Sequence, residues 1–381
     1  MNFSWSDEQL ELKKAVIEFA EKGLGDDIIQ RDKTSTFSRT LWGKCAEFGI
    51  QGLIFPKEYG GLDLDILTTL LIMEGLGYAC KDSGLIFGIN AQMWSVQMPI
   101  LRFGSDVQKS KYLHKLCSGK WIGAHGMTEP NTGSDAFSLG TTAKLHGDYY
   151  LLNGTKTFVT NAPVADIFVV FATVDKRKGF LGITGFIVEK DFSGFSVSKE
   201  IEKMGLKTAP MAELIFEDCK VPVENRLGKE GNGATIFNES MDWERCCILA
   251  SCLGTMEKQL ETCIKYSKER RQFDKPIGKF QSIANKLVDM KVRLETARLI
   301  LYKAAWTKKT QGKAGIDAAI AKLYVSESWI KSCLDAIQIH GGYGYTTEYE
   351  LERYLRDSIG GTLYSGTSEI QKNIIAQYLG V

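Results

Sequence analysis

The chain has 381 residues, 44% of them hydrophobic, and its 47 Lys and Arg balance 46 Asp and Glu to a formal net charge of +1. Such a composition excludes whole-chain disorder and argues against the basic face that nucleic-acid binding needs. The densest apolar stretch, Phe180 to Val188, is interrupted by Gly and Thr and falls well short of the about 20 residues of a membrane span.

The length predicts about two to three domains with sizeable cores. The N-terminus runs straight into a charged amphipathic pattern, so no targeting segment is expected there. Ser6-Asp7-Glu8-Gln9 has the form of a capping box, and Leu10, Leu12, Ala15, Val16, Phe19 and Ala20 follow at helical spacing. Further helical patterns cover 41–50, 66–79 and 107–117, interrupted by the turn-rich Pro56-Lys57-Glu58-Tyr59-Gly60-Gly61. From Trp121 to about Leu227 the segments become short and β-rich, with Tyr149–Leu152, Ile167–Phe171 and Leu214–Phe216 separated by turn residues. That texture predicts one antiparallel sandwich or barrel. From about Asn232 long helical patterns return, with Pro276 as their one proline. The expected organisation is a helical domain over 1–119, a β domain over 120–228 and a helical bundle over 229–381, an α+β chain.

Cysteine and histidine usage narrows the chemistry. The nine cysteines are irregularly spaced without a Cys-x-x-Cys, and no two of the histidines at 114, 125, 146 and 340 lie three to five residues apart. Neither a disulfide framework nor a metal site is predicted, and a reducing cytoplasm is the expected setting. Met127-Thr128-Glu129-Pro130-Asn131-Thr132-Gly133-Ser134-Asp135 offers hydroxyls and backbone N–H groups to a flat heteroaromatic ring or to phosphate oxygens; taken alone, it also reads as a plain loop.

Several further segments stand in the same order as one known pattern: the Pro56–Gly61 turn, Asn153-Gly154-Thr155-Lys156-Thr157-Phe158-Val159-Thr160-Asn161, Glu269-Arg270-Arg271-Gln272-Phe273, Gln338-Ile339-His340-Gly341-Gly342-Tyr343-Gly344, and Tyr364-Ser365-Gly366-Thr367-Ser368-Glu369-Ile370-Gln371. Together with Met127–Asp135 they resemble the acyl-CoA dehydrogenase flavoprotein family, essentially from end to end. The resemblance implies a helical N-terminal domain, a β-barrel middle domain, a C-terminal four-helix bundle, bound FAD, and a homo-oligomer, usually a tetramer. It places Met127, Thr128, Gly133 and Ser134 against the flavin and its pyrophosphate, and Phe158 and Thr160 over the isoalloxazine. Many relatives have Trp where this chain has Phe158. Arg270, Phe273, Gln281, Gln338, Gly341 and Gly342 are then expected at the adenosine diphosphate half of a neighbouring subunit's FAD, with Thr367 and Glu369 completing the flavin site. Taken singly, Arg270 and Arg271 also read as a solvated helix face, and Gly341-Gly342 as a bare turn.

Oxidation beside a thioester needs a carboxylate base for the α-proton, with its pKa raised by an apolar setting. Many family members carry it directly before the Gly of Tyr-Glu-Gly-Thr, where this chain has Ser365. A second carboxylate lies in the apolar stripe Met241, Ile248, Cys252, Met256 and Leu260: Glu244 falls in its gap at helical steps of three and four. A boundary Glu paired with a cation is the bland alternative. A branch of the family that includes isovaleryl-CoA dehydrogenases places its base at this helix position, so the loss at 365 and the gain at 244 form one picture. Asp242 is the fallback, rotated away by about 200°.

Ser365, Glu244, the compact length and Gly360-Gly361-Thr362-Leu363 look closest to the prolyl-carrier-protein dehydrogenases and oxidases. These act on L-proline bound to an acyl (peptidyl) carrier protein in natural-product biosynthesis, giving a pyrroline or pyrrole thioester. A short branched-chain, isovaleryl-CoA-like acyl-CoA dehydrogenase and a noncatalytic flavin-binding scaffold are the alternatives. Trp94 suits a ring-sized acyl group or is core packing. His125, on the strand face shared with Met127, is either a protonated group that favours oxygen as acceptor or a hydrogen-bonded strand histidine. Tyr364 and Ser365 are the remaining candidates at the substrate. The stretch Gly205–Glu213 lacks the Arg and Ser common in relatives, so contacts to the thioester arm do not carry over.

Overall fold

A computed structural model describes residues 4–25 and 27–381. Helices α1 (Asp7–Gly23), α2 (Ile28–Lys33), α3 (Arg39–Phe48), α4 (Ile66–Ala79), α5 (Ser83–Gln92), α6 (Met98–Phe103) and α7 (Asp106–Cys117) form the N-terminal part, with a π-helical segment Met93–Gln97 between α5 and α6. The capping box is present: Ser6 Oγ accepts from Gln9 N and Gln9 Oε1 accepts from Ser6 N. Helix α4 is apolar on nearly every side and buried along most of its length, so it acts as a central post rather than a surface helix.

Strands β1 (Gly123–Gly126), β2 (Thr142–His146), β3 (Tyr149–Thr160), β4 (Ile167–Thr173), β5 (Ile183–Glu189), β6 (Phe195–Val197), β7 (Met211–Pro222) and β8 (Arg226–Leu227) make one sheet of order β6-β7-β3-β2-β4-β5-β8, with β1 added on β4. The expected purely antiparallel arrangement is corrected here. β1 runs parallel to β4, and β2 also meets β4 parallel, at Thr142 and Thr173. A parallel pair requires a long crossover, and the β2–β3 hairpin supplies it between β1 and β4. One edge of β4 is thereby shared, and the sheet forks where β1 leaves the helical part.

The C-terminal part contains α8 (Gly233–Cys247), α9 (Ala250–Glu269), the ribbon β9 (Arg271–Gln272) and β10 (Lys275–Pro276), then α10 (Gln281–Gln311), α11 (Ile316–His340), α12 (Leu351–Gly360) and α13 (Ser368–Leu379). Helix α11 packs against α8, α9, α10, α12 and α13. The apolar stripe proposed for one continuous helix crosses a break at Ile248–Leu249, yet Met241, Glu244, Ile248, Cys252, Met256 and Leu260 are all buried. The break preserves the stripe because Ile248 N still donates to Glu244 O, at 2.8 Å.

Two contacts lock the helical parts together. A Cβ at Gly77 would lie 1.9 Å from Ser251 O, and one at Gly254 would lie 1.9 Å from Glu74 O, so only glycine lets α4 and α9 cross this closely. Beside that crossing, the buried Glu74 carboxylate accepts from Lys13 Nζ (3.1 Å), Arg298 Nε (3.1 Å) and Tyr302 OH (2.9 Å), which ties α1 and α10 to α4. All nine cysteines are free and buried. Among the described residues, no helix is long and apolar enough to cross a membrane.

Candidate active site

Glu244 is 7% exposed and lies on α8 where the C-terminal part meets the N-terminal part. Ser95 Oγ, on the π-helical segment, donates to its Oε2, and Ser365 Oγ, beyond α12, donates to its Oε1. Burial pushes the Glu244 pKa up. The Ser365 and Ser95 hydroxyls and the nearby charges of Arg245 and Lys322 oppose that rise without cancelling it. Ser365 adopts φ 58°, and its carbonyl accepts from Arg245 Nε (3.0 Å) and Gln371 Nε2 (3.2 Å), which hold the residue in this left-handed conformation. Lys322 Nζ is buried without a hydrogen-bond partner among the described residues, and burial together with Arg245 pushes it down to about 8.

Asp242, the fallback carboxylate, is occupied elsewhere. It pairs with Lys308 at 2.8 Å and accepts from the N–H groups of Ala314 and Gly315 at the start of α11. Trp94 is fully buried, donates to Asn90 Oδ1 (2.8 Å) and lies parallel to Trp243 at 6.2 Å. The two indoles stand directly before Ser95 and Glu244 in sequence, so their packing holds donor and carboxylate in place. This favours the core-packing reading of Trp94. Tyr364 packs against Phe87 with ring centroids 4.7 Å apart and the planes tilted by 34°, and with Leu206, Ile248 and Cys252 these rings border a cavity of about 20 Å³.

A hydroxyl-supported carboxylate predicts a specific pH response. The base works ionised, so kcat/KM falls as pH drops through the Glu244 pKa, which lies above 4.5. Ser365→Ala removes a donor to the charged form, and the acid limb of the kcat/KM profile is expected to move to higher pH. A limb unchanged in Ser365→Ala would mean that another group titrates.

The sheet supplies a second set of groups. Met127 and Thr128 follow β1, and Thr128 O accepts from Thr157 N at 2.8 Å. The β3–β7 register shifts between Lys156 and Val159, and within this irregularity Phe158 takes φ 56° and is turned outward, 62% exposed, near Thr160 at the strand end. A bulky residue holds positive φ only where the surroundings impose it. Beneath the turn, Lys156 is fully buried; its Nζ donates to Glu129 Oε1 (2.7 Å) and Met127 O (3.2 Å). Glu129 also accepts from the N–H groups of Gly140 (2.6 Å) and Thr141 (3.0 Å). This buried pair props up the Met127–Ser134 turn.

His125 takes neither of its expected forms. Its ring lies against Phe237 (6.0 Å) and edge-on to Phe171 (5.5 Å), and Nε2 is buried without a partner among the described residues. Burial, then the Lys156 charge, pushes it down to about 4, so the imidazole is neutral at physiological pH. A protonated His125 that attracts superoxide is therefore corrected to a neutral ring in an aromatic cluster.

A third set lies on the C-terminal part. Arg270, Gly341 and Gly342 line one surface cavity of about 510 Å³ together with Tyr266, His340 and Tyr343. Arg270 stacks over Tyr343 at 5.6 Å, and His340 stacks on Tyr266 at 4.1 Å. Phe273, at the tip of the β9–β10 ribbon, is almost fully exposed, and the polar Gln281 and Gln338 are exposed. Thr367 caps α13 by accepting from Ile370 N (3.3 Å), and Glu369 follows in its first turn.

These groups fit FAD. A Cβ at Gly133, Gly341 or Gly342 would meet nothing within 4 Å, so the chain there leaves room for a ligand's close approach. Thr132 Oγ1 and His340 Nε2 are buried polar atoms without partners among the described residues. Outward-turned Phe158 offers a ring face for stacking. Ser95, Arg245, Lys322 and the Glu129–Lys156 pair escaped the sequence reading. For the pair a signal existed, since both residues lie in motifs already singled out.

Three family models match the chain: the acyl-CoA dehydrogenase N-terminal domain over residues 6–120, the middle domain over 124–219 and the C-terminal domain over 231–380. An L-prolyl-[peptidyl-carrier protein] dehydrogenase of Pseudomonas fluorescens is 41% identical over 380 residues, covering 100% of both chains. The crystal structure of the prolyl acyl carrier protein oxidase AnaB superposes with a TM-score of 0.98 at 53% identity, over 99% of this chain and 100% of that one. A structure of PigA with FAD and proline gives a TM-score of 0.97 at 41% identity, over 100% and 99% of the two chains. Three collinear family domains and full-length relatives at 41% identity or more, with a buried carboxylate at 244, have one explanation: the chain belongs to the acyl-CoA dehydrogenase family.

Proposed function

We propose that the chain is a flavin-dependent acyl-thioester dehydrogenase or oxidase of the EC 1.3 type that oxidises L-proline held as a thioester on a carrier protein, with Glu244 as its base. The observation that carries this reading is the 53% identity to a prolyl acyl carrier protein oxidase over essentially the whole chain. The PigA structure, solved with FAD and proline, supports both cofactor and acyl group. The Glu244 site adds chemical support, because a buried carboxylate with a raised pKa, held by two hydroxyls, is what abstraction of an α-proton needs.

FAD, when bound, supplies the acceptor for a hydride from the β-carbon. Everything else is work for the protein. Ionised Glu244 takes the α-proton, and the Ser95 and Ser365 hydroxyls hold its two oxygens so that the carboxylate is aimed before substrate arrives. Arg245 and Lys322 offset part of the cost of burying that charge. Met127, Thr128 and Thr160 would hold the ring, Gly133 and Ser134 the pyrophosphate, and Phe158 would stack on the isoalloxazine. Arg270, Phe273, Gln281, Gln338, Gly341 and Gly342 would serve the adenosine diphosphate half in a neighbouring subunit of a homotetramer. Loss of one proton and one hydride gives an enamine thioester, which isomerises to a pyrroline or is oxidised again to a pyrrole.

Prolyl-carrier protein and isovaleryl-CoA, offered separately under anaerobic conditions, discriminate the readings by flavin absorbance. Bleaching by the prolyl substrate alone is expected. Bleaching by isovaleryl-CoA alone would indicate a branched-chain acyl-CoA dehydrogenase. A bound flavin that no thioester reduces would indicate a noncatalytic scaffold.

A further inference from the structure

We infer that the exposed segment Lys176–Gly182, between β4 and β5, is the docking surface for the acidic face of the carrier protein. The inference rests on the carrier-bound substrate proposed above and names where that carrier sits.

The sequence of the segment is unusual for a surface turn. Lys176, Arg177 and Lys178 are consecutive and exposed, and Gly179, at φ 53° and ψ −131°, turns the chain so that Phe180 and Leu181 follow at 58% and 60% exposure. Asp175 caps the segment and binds the Arg177 guanidinium through two 3.0 Å hydrogen bonds, which leaves an excess of two positive charges. Adjacent exposed large apolar side chains beside a concentrated positive charge describe a surface that is covered in use by an anionic partner with some apolar area. The chain as a whole is balanced in charge, so this local excess is invisible in its composition.

Position relates the segment to the base. Its last turn is fixed by Val174 N donating to Gly182 O (2.9 Å), and Leu181 O lies so close to Gly231 that a Cβ there would approach to 2.6 Å. Gly231 is two residues before α8, the helix that carries Glu244. Eleven residues separate Gly233 from Glu244 on that helix, or about 16 Å at 1.5 Å per residue. Phe237 lies seven residues before Glu244, hence on the same helix face, and meets the similarly half-buried Phe137 edge-on at 5.9 Å. Phe237 and Glu244 thus lie on one face of the helix whose start abuts the segment. A carrier delivers its acyl group on a flexible arm whose root is a phosphate, so a basic surface beside the start of the helix that carries the base suits its chemistry.

The test uses the full FAD-loaded protein with the triple variant Lys176→Glu, Arg177→Glu, Lys178→Glu and, separately, Phe180→Ser with Leu181→Ser. Both are assayed with prolyl-carrier protein and with prolyl-pantetheine, which lacks the protein; binding of carrier without turnover is followed by calorimetry. A loss of about tenfold or more in kcat/KM and in affinity for the carrier substrate is expected, with prolyl-pantetheine turnover within about twofold of the parent. For the parent, KM for the carrier substrate should rise with ionic strength. Unchanged carrier turnover would overturn the inference, as would equal losses on both substrates in both variants. Unchanged carrier turnover with an altered oligomeric state would assign the segment to an interface between copies instead. Failure of the substrate reading looks different, because the parent would then oxidise neither prolyl thioester.

Discussion

Glu244→Gln is expected to retain FAD and its yellow colour, while prolyl-carrier protein no longer bleaches it on the timescale of the parent. The amide keeps the shape of the side chain, and its oxygen still accepts from Ser95 or Ser365, so the site remains built. What is lost is the acceptor for the α-proton, and a positioned general base is worth about 10²- to 10⁴-fold in rate. Rapid-mixing absorbance under anaerobic conditions reads that loss directly. Bleaching at the parent's rate would remove Glu244 from the mechanism. Stability should move the other way. Burial raises the folded pKa of Glu244 above its unfolded value, so the folded state binds this proton more readily, and stability falls as pH rises through the interval between the two. At neutral pH the parent carries that cost and the Gln variant does not, so thermal unfolding should occur at an equal or higher temperature.

The second large effect is structural. Lys156→Met is expected to destabilise the protein by about 3–5 kcal/mol, the usual cost of leaving a buried partner charge alone. It should also weaken FAD binding, because Lys156 Nζ holds both Glu129 and Met127 O beneath the turn proposed to hold the flavin. Denaturant unfolding and FAD release by fluorescence measure the two losses. The double variant Glu129→Gln, Lys156→Met should recover much of the stability, since neutral groups replace the whole pair. If the double variant is as unstable as the single one, the pair's charge is not what matters. Burial pushes Lys156 down to about 8 despite its partner. Burial also pushes Glu129 up, but Lys156 and the Thr141 donors prevail and hold its carboxyl below the ordinary range. The stability that Glu129 contributes is therefore complete above its unfolded pKa and lost as pH falls through the lower folded one.

Periodicity carried much of the site. The helical steps that place Glu244 in an apolar stripe hold even across the break at Ile248–Leu249, because burial acts on the face of a helix rather than on its hydrogen-bond continuity. Asp242 likewise points away, towards Lys308 and the start of α11. Ser95 was not legible, since it donates across 149 positions from a π-helical segment with no local signature. The lowered pKa of His125 comes from burial, to which Phe237 on a distant helix contributes, and from the Lys156 charge. Strand direction was also hidden, because alternation along β1 and β4 reports which faces are buried and not which way the neighbour runs.

The nine buried cysteines bear on how the protein ages. Oxidants attack thiolates, and burial keeps these thiols protonated, with Cys80, Cys117, Cys219, Cys263 and Cys333 all pushed up to about 12. A reduced flavin that meets oxygen generates peroxide within the same molecule, and the folded chain presents that peroxide with no reactive sulfhydryl. Among the described residues, the most exposed sulfur is that of Met204, 59% exposed, and methionine sulfoxide is a lesion that reductases reverse.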